Sequence, residues 1–249
     1  GKDKDKTVPA NLEEFAYAAS HDMKEPIRKI HFFSDRLKQK LSGKIDEEEE
    51  RLFERMQFAA RRMGTLIDDL LTFSHVSRDE SLPDEVNLNQ KLKLVTEDLE
   101  LAIDEKGAKI TSENLPTIKG HKRQLQQMFQ NIIGNSLKYA RPGVPPLINI
   151  TCSKIKGHLS GLSLPAKEAQ QDFYEISIAD NGIGFDQKDA ERIFNVFTRL
   201  HGNTEYRGTG IGLSIVHKVV DNHNGYIRAE GKPDEGATFK ILFPVSEMV

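Results

Sequence analysis

The chain has 249 residues, enough for one large domain or two of ordinary size. Its 35 Lys and Arg face 38 Asp and Glu, a net charge of −3 that excludes gripping nucleic acid by phosphate neutralisation alone. No apolar run approaches the roughly 18 residues that span a bilayer, and Cys152, the single cysteine, excludes an intrachain disulfide or a cysteine-based zinc cage. The expectation is a soluble cytoplasmic protein, without direct membrane contact in this stretch.

Gly1–Lys6 alternates Lys and Asp and reads as a solvated lead-in. From Leu12 the pattern sharpens. Leu12, Ala16, Ala19, Met23, Pro26, Ile30, Phe33 and Leu37 form a heptad seam, and Phe53, Met56, Ala60, Met63, Ile67, Leu70 and Ser74 form a second. The spacing predicts two helices of about 30 residues, each about 45 Å long at 1.5 Å per residue. The Leu41–Asp46 connection folds them into an antiparallel hairpin, and the acidic run Glu47–Glu50 offsets the positive end of the second helix dipole. Phe32, Leu52, Leu66, Leu71 and Phe73 widen the apolar stripes beyond a two-stranded seam. Two hairpins packed as a four-helix bundle would bury them, so a homodimer is expected. Residues 1–80 are taken as this first domain.

After Ser81-Leu82-Pro83 the texture changes, and residues 81–249 are taken as a second domain. Short strands are predicted at Glu85–Leu88, Lys109–Ser112 and Thr117–Lys119, with helices at Asn89–Lys106, stopped by Gly107, and at Arg123–Tyr139. Leu147–Lys154 and Phe173–Ala179 alternate as strands around a polar insert, Gly157–Asp172. A helix over Ile211–Asn222 and strands over Tyr226–Glu230 and Ala237–Phe243 close the domain. The order implies a two-layer α/β sandwich with helices on one sheet face.

Several residues stand out chemically. His21 lies two residues from both Ala19 and Met23, about 200° around the helix from the seam. Asp22 beside it can orient the ring or take its proton, keeping the other nitrogen a neutral nucleophile. Pro26 deprives the Asp22 carbonyl of its intrahelical donor, so a kink or bulge is expected next to His21. Asn131 and Asn135, four apart on one helix face, offer hard neutral oxygens suited to Mg²⁺, and Lys138 and Tyr139 continue that helix end.

Asp180-Asn181-Gly182-Ile183-Gly184-Phe185 follows a strand; a buried Asp there can accept from an exocyclic amine while Gly182 and Gly184 let the backbone approach a flat ring. Gly208-Thr209-Gly210-Ile211-Gly212-Leu213 opens a helix, where loop N–H groups and the dipole favour phosphate. The pattern is G-x-G-x-G, which disfavours a dinucleotide fold of the Rossmann kind, and no P-loop motif is present. Ile193, Phe194, Phe197 and Leu200 read as the apolar stripe of a short helix, whose polar flanks, Asp186–Glu191 and His201–Arg207, suit a lid.

Taken together these motifs resemble the transmitter of a sensor histidine kinase, over about Leu12 to Pro244. Ser20–Pro26 resembles the phospho-acceptor box, Asn131–Tyr139 the asparagine box, and Asp180–Phe185 the first glycine box. Phe194–Arg199 resembles the phenylalanine box, Gly208–Leu213 the second glycine box, and Gly236-Ala237-Thr238-Phe239 the last glycine motif. Phe197–His201 with Glu205–Gly208 resembles the phytochrome-like subgroup, which brings Tyr206 and Arg207 beside Gly208 into the candidate site.

The resemblance implies an ATP-binding sandwich of the gyrase, Hsp90 and histidine kinase type behind a dimeric helical hairpin. His21 would attack the γ-phosphoryl group of ATP, with Asp22 as base. Asn135 would bind Mg²⁺ with Asn131 on the same face, and Lys138 and Tyr139 would lie near phosphates and nucleoside. Asp180 would read the adenine amine, Gly208, Gly210 and Gly212 would wrap the phosphates, and Thr238 would join the nucleotide contacts. The phosphoryl group would pass to an aspartate on a separate response regulator receiver domain after the ATP domain swings about Ser77–Glu85, and an upstream sensor domain would lie outside this stretch. Glu25 stands where relatives that also dephosphorylate their partner often carry Thr or Asn, so the resemblance does not extend to phosphatase activity. Gyrase-like ATPases typically carry a water-activating Glu at the place of Asn131, which favours the kinase over that alternative and over a non-catalytic scaffold.

Overall fold

The computed structural model describes residues 9–77, 82–198 and 209–245. The chain divides into two compact units, within residues 1–79 and within residues 80–249. Among the described residues no helix is long and apolar enough to cross a membrane.

The first unit is the hairpin of α1 (Pro9–Leu41) and α2 (Glu47–Ser77). Gly43, with φ +74°, supplies the left-handed step in the connection. Asp46 and Glu49 cap α2 reciprocally: the Glu49 N–H donates to Asp46 Oδ1 at 2.8 Å and the Asp46 N–H to Glu49 Oε2 at 3.0 Å. Helix α1 stays α-helical through Pro26, which removes one backbone donor without ending it.

The expected seam is covered only in part: α2 buries its seam residues Ala60, Ile67 and Ser74, whereas the described α1 seam from Met23 to Leu37 stays outside. Among the described residues of this unit, Ser20 and Ser34 of α1 and Gln57, Ala60, Ile67, Ser74 and Val76 of α2 are buried. Met23 (53% exposed), Phe33 (61%), Ile30 and Leu37 lie on the outside, as do Leu52, Met56 and Met63. Four of these buried side chains, Ser20, Ser34, Ala60 and Ser74, are small, and Ile67 and Val76 add branched apolar contacts, while the bulkier stripe is left uncovered. Leu12 and Ala16 carry side chains outside those described.

The second unit runs β1 (Asp84–Asn87), α3 (Leu88–Asp98), α4 (Glu100–Lys106), β2 (Lys109–Ser112), β3 (Thr117–Gly120), α5 (Lys122–Lys138), β4 (Leu147–Lys156), α6 (Ala166–Ala169), β5 (Asp172–Asp180), α7 (Gly212–Asn222), β6 (Tyr226–Lys232) and β7 (Gly236–Pro244). Five strands form one sheet in the order β2-β4-β5-β7-β6; only β2 and β4 run parallel. β1 and β3 pair separately as a two-stranded ribbon. Alternate residues Ile148, Ile150, Ile176, Ile178, Phe239 and Ile241 are buried on the sheet's covered face. Leu125, Met128, Phe129, Ile132 and Ile133 of α5 and Ile215, Val216, Val219 and Val220 of α7 supply the second layer.

Two sequence expectations need correction. The single helix over Asn89–Lys106 is two, because Leu99 (φ −97°, ψ 6°) leaves helical geometry; Gly107 caps the second in the left-handed region. The stripe of Ile193, Phe194, Phe197 and Leu200 is not a helix. Only Arg192–Phe194 makes a 3₁₀ turn, and Phe197 sits at φ +65°, where no right-handed helix continues, with its ring 59% exposed. Leu200 lies outside the described residues.

Ile132, wholly buried on α5, tests the layer contact. Ile132→Ala should cost about 2–5 kcal/mol of the stability of the second unit, read as a lower urea midpoint at unchanged slope.

Candidate active site

The hairpin displays its histidine outward. Ser20 faces the partner helix and is 1% exposed, so the next residue turns about 100° away from it. The His21 side chain is accordingly 77% exposed and that of Asp22 89%. Asp22 Oδ1 lies 3.8 Å from His21 Nδ1, too far for a hydrogen bond. Lys24 reaches Asp68 of α2 at 3.0 Å, while Glu25 is flanked by Arg28 and Lys29, each at 3.5 Å.

In the second unit the site is built around the end of β5. Asp180 Oδ1 accepts from the Gly182 N–H at 2.9 Å and the Ala237 N–H at 3.2 Å, and Oδ2 accepts from the Ser136 hydroxyl at 2.9 Å. Burial pushes the Asp180 carboxyl above the ordinary aspartate range, and the same three donors pull against it. A carboxylate has about four acceptor positions; three are used, which leaves one for a ligand donor. Gly182 is buried where a Cβ would lie 2.5 Å from the Tyr139 carbonyl oxygen, and the Ile183 N–H donates to that oxygen at 2.9 Å. The turn through Gly182 and Gly184 is therefore fastened to the end of α5.

Along α5 the two asparagines have different surroundings. Asn131 Nδ2 donates to the Gly212 carbonyl at 2.9 Å, and its Oδ1 accepts from Gln127 Nε2 at 2.8 Å, so its amide ties α5 to the first turn of α7. The Asn135 side chain has no hydrogen-bond partner among the described residues, leaving its oxygen available to a cation. Lys138 Nζ sits 4.8 Å from the centre of the Tyr139 ring.

Thr209, Gly210 and Ile211 lead into α7. The Ile211 N–H lies 3.4 Å from Thr209 Oγ1, and the Gly210 carbonyl accepts from the Phe197 N–H at 2.8 Å. At Gly210, φ is +76° and a Cβ would lie 2.8 Å from the Phe197 carbonyl carbon, so glycine is required on both counts. Ile211 is wholly buried and anchors the loop, whereas Gly212 and Leu213 are part-exposed at the helix start. Tyr206, Arg207 and Gly208 lie outside the described residues.

Thr238 is not brought to Asp180. Ala237 stands opposite Asp180 and Thr238 opposite Ala179, so strand alternation turns Thr238 to the other sheet face. The residues that do hold Asp180, Ser136 and the Ala237 backbone, escaped sequence reasoning. A serine on the buried face of α5 is the one signal that could have exposed the first.

Residues 120–247 match the family of histidine kinase-, DNA gyrase B- and HSP90-like ATPases, and residues 11–78 match the His Kinase A (phospho-acceptor) domain. The chain is 34% identical over 236 residues to the phytochrome-like protein Cph1 of Synechocystis sp., covering 95% of this chain and 29% of that protein. It is 36% identical over 230 residues to cyanobacterial phytochrome B of Nostoc sp., covering 92% of this chain and 29% of that protein. The chain thus spans less than a third of the length of these relatives. A crystal structure of full-length ShkA in complex with AMPPNP shares the fold, with a TM-score of 0.64 at 24% identity over 93% of this chain and 45% of that one.

Because burial raises the Asp180 pKa, ionising this group costs stability as pH rises from the ordinary aspartate value through the raised one. Asp180→Asn keeps an acceptor for the Gly182 and Ala237 N–H groups and removes that term. Urea midpoints of variant and wild type should therefore diverge in favour of the variant as pH rises across that window; parallel curves would contradict the assignment.

Proposed function

The chain belongs to the histidine kinases, as a sensor-kinase transmitter module, and from that premise we propose that it phosphorylates His21 from Mg²⁺-ATP and then passes the phosphoryl group to an aspartate of a separate response regulator. The observation that carries this reading is the Asp180 carboxylate, held by three donors with one acceptor position spare, in the same unit as an uncommitted Asn135 amide. A histidine that is 77% exposed supplies the acceptor.

The spare position on Asp180 suits the exocyclic amine of adenine, and Gly182 lets the turn beside it close onto the Tyr139 carbonyl. The loop through Gly210 and the start of α7 offer N–H groups and a helix dipole to the phosphates. The Asn135 oxygen would hold Mg²⁺, whose chemistry is to neutralise phosphate charge. Asn131 would act by fixing α7 rather than as a ligand, since its amide is already committed.

His21 attacks through a neutral ring nitrogen. The N–P bond forms as the bond from the γ-phosphorus to the bridging oxygen breaks, and ADP leaves. Asp22, 3.8 Å away, would close to hydrogen-bond distance to take up the proton from the other ring nitrogen as positive charge develops on the imidazole. Catalysis is then mostly positioning and charge neutralisation. In the second step the phosphoryl group moves from His21 to an aspartate carboxylate, and the ring regains its free nitrogen.

The uncovered stripe of Met23, Ile30, Phe33, Leu37, Met56 and Met63 supports pairing of two hairpins into a four-helix bundle. Phe33→Asp should shift the chain from dimer to monomer in sedimentation, because each dimer would bury two unpaired carboxylates.

Incubation with γ-labelled ATP should give an acid-labile, base-stable phosphoprotein in the wild type and none in His21→Gln. Equal labelling of that variant would overturn the assignment. Steady ATP turnover indifferent to His21→Gln would make the protein a hydrolytic ATPase instead.

A further inference from the structure

We propose that Gln187 is a positioning residue for the nucleotide site, latching the segment that leads to the phosphate loop onto the open edge of the sheet. This rests on the reading of the second unit as an ATP site. β6 is an edge strand, so its outward N–H and C=O groups have no strand partner on that side. Gln187 supplies both partners at once. Its Nε2 donates to the Ala229 carbonyl at 3.2 Å and its Oε1 accepts from the Gly231 N–H at 2.8 Å, so one side-chain amide takes the place of a neighbouring strand's peptide group.

The surroundings show why this contact carries position. On one side, the Phe185 ring rests on Gly231, where a Cβ would come within 2.5 Å of it. On the other, Asp186 caps the 3₁₀ turn Gln187–Asp189 by accepting from the Lys188 N–H at 3.1 Å. Farther on, Phe194 packs against His217 and Phe239, with ring centres 5.8 and 6.3 Å apart. Between these two anchors lies a cavity of about 420 Å³, lined among others by Gln187, Phe194, His217 and Ile227. Apolar packing is therefore interrupted just where the segment crosses the sheet edge, and there the Gln187 amide holds the segment to β6 by its two hydrogen bonds. The segment then reaches Phe197, whose N–H holds the Gly210 carbonyl at 2.8 Å. Three fixed points thus follow one another along the backbone: Gln187 on Ala229 and Gly231, Phe194 on His217 and Phe239, and Phe197 on Gly210.

Gln187→Met keeps the length and bulk of the side chain and removes both hydrogen bonds; Gln187→Glu keeps the acceptor for Gly231 and sets a charge against the Ala229 carbonyl. If the latch keeps the loop in its binding geometry, losing it lowers the competent fraction, and apparent affinity falls in proportion; for Gln187→Met we expect KM for ATP to rise about threefold to tenfold with kcat within about twofold. Gln187→Glu should fall between Met and wild type, and Tm should move by no more than about 2 °C. Hydrogen exchange supplies a readout independent of labelling: in Gln187→Met the Gly231 amide and, at a distance, the Phe197 amide should both exchange faster. An unchanged KM, or faster exchange at Gly231 alone, would overturn the proposal. Should the wild type itself fail to label with ATP, the proposed kinase function falls, while exchange at Phe197 still decides the latch.

Discussion

The hydrogen bonding of Asp180 is the constraint on which the second unit depends. Its two oxygens gather donors from three elements: the turn after β5, the helix α5 and the strand β7. A carboxylate removed from water and left unpaired would be expensive, so each donor fixes the position of its element relative to the other two. The fold therefore cannot relax this group without separating helix from sheet. The same burial that raises its pKa strengthens each of these hydrogen bonds, because the surroundings screen them less than water would.

The hairpin solves a different problem with the same economy. Its inner contact is made by Ser20, Ser34, Ala60 and Ser74 together with Ile67 and Val76, and larger side chains such as Met23, Phe33 and Met56 are left outside it. Ser20 and Ser34 are buried with hydroxyls that have no hydrogen-bond partner among the described residues. That is a modest cost for the inner contact, which holds α1 in the rotation that turns His21 to solvent.

Much of this was legible in the sequence. The hairpin, the order of strands and helices and the Gly107 stop follow from periodicity and from residues with special backbone demands, which are local properties. What local rules missed has a physical reason in each case. Heptad spacing identified the apolar stripe but not which partner covers it, since one hairpin and a pair of hairpins use the same spacing. The stripe through Phe194 and Phe197 matched a helix, but Phe197 adopts a left-handed conformation held by its bond to Gly210, a contact made across the sequence. Asn131 and Asn135 looked equivalent at i,i+4; only the arrival of Gly212 beside Asn131 separates a structural amide from a free one. Thr238 shared a motif with the site but not its sheet face, because a strand offers alternate residues to opposite sides.

The distribution of rigidity in the second unit follows from the ligand it is proposed to hold. Adenine is flat and uncharged, and discriminating it needs a donor–acceptor pair in a fixed place, which the Asp180 floor supplies. Phosphates are large, charged and must change partners as the γ-phosphoryl group departs. Backbone N–H groups on a glycine loop can follow that change, whereas a cage of fixed side chains would resist it. A loop that follows such a change must still return to one geometry, and a few discrete contacts at its root serve that end. The bonds at Gln187, the ring contacts of Phe194 and the Phe197–Gly210 bond are contacts of that kind. They tie Gln187, Phe194 and Phe197 to the sheet edge, to α7 and to Gly210, the described residues on either side of the loop.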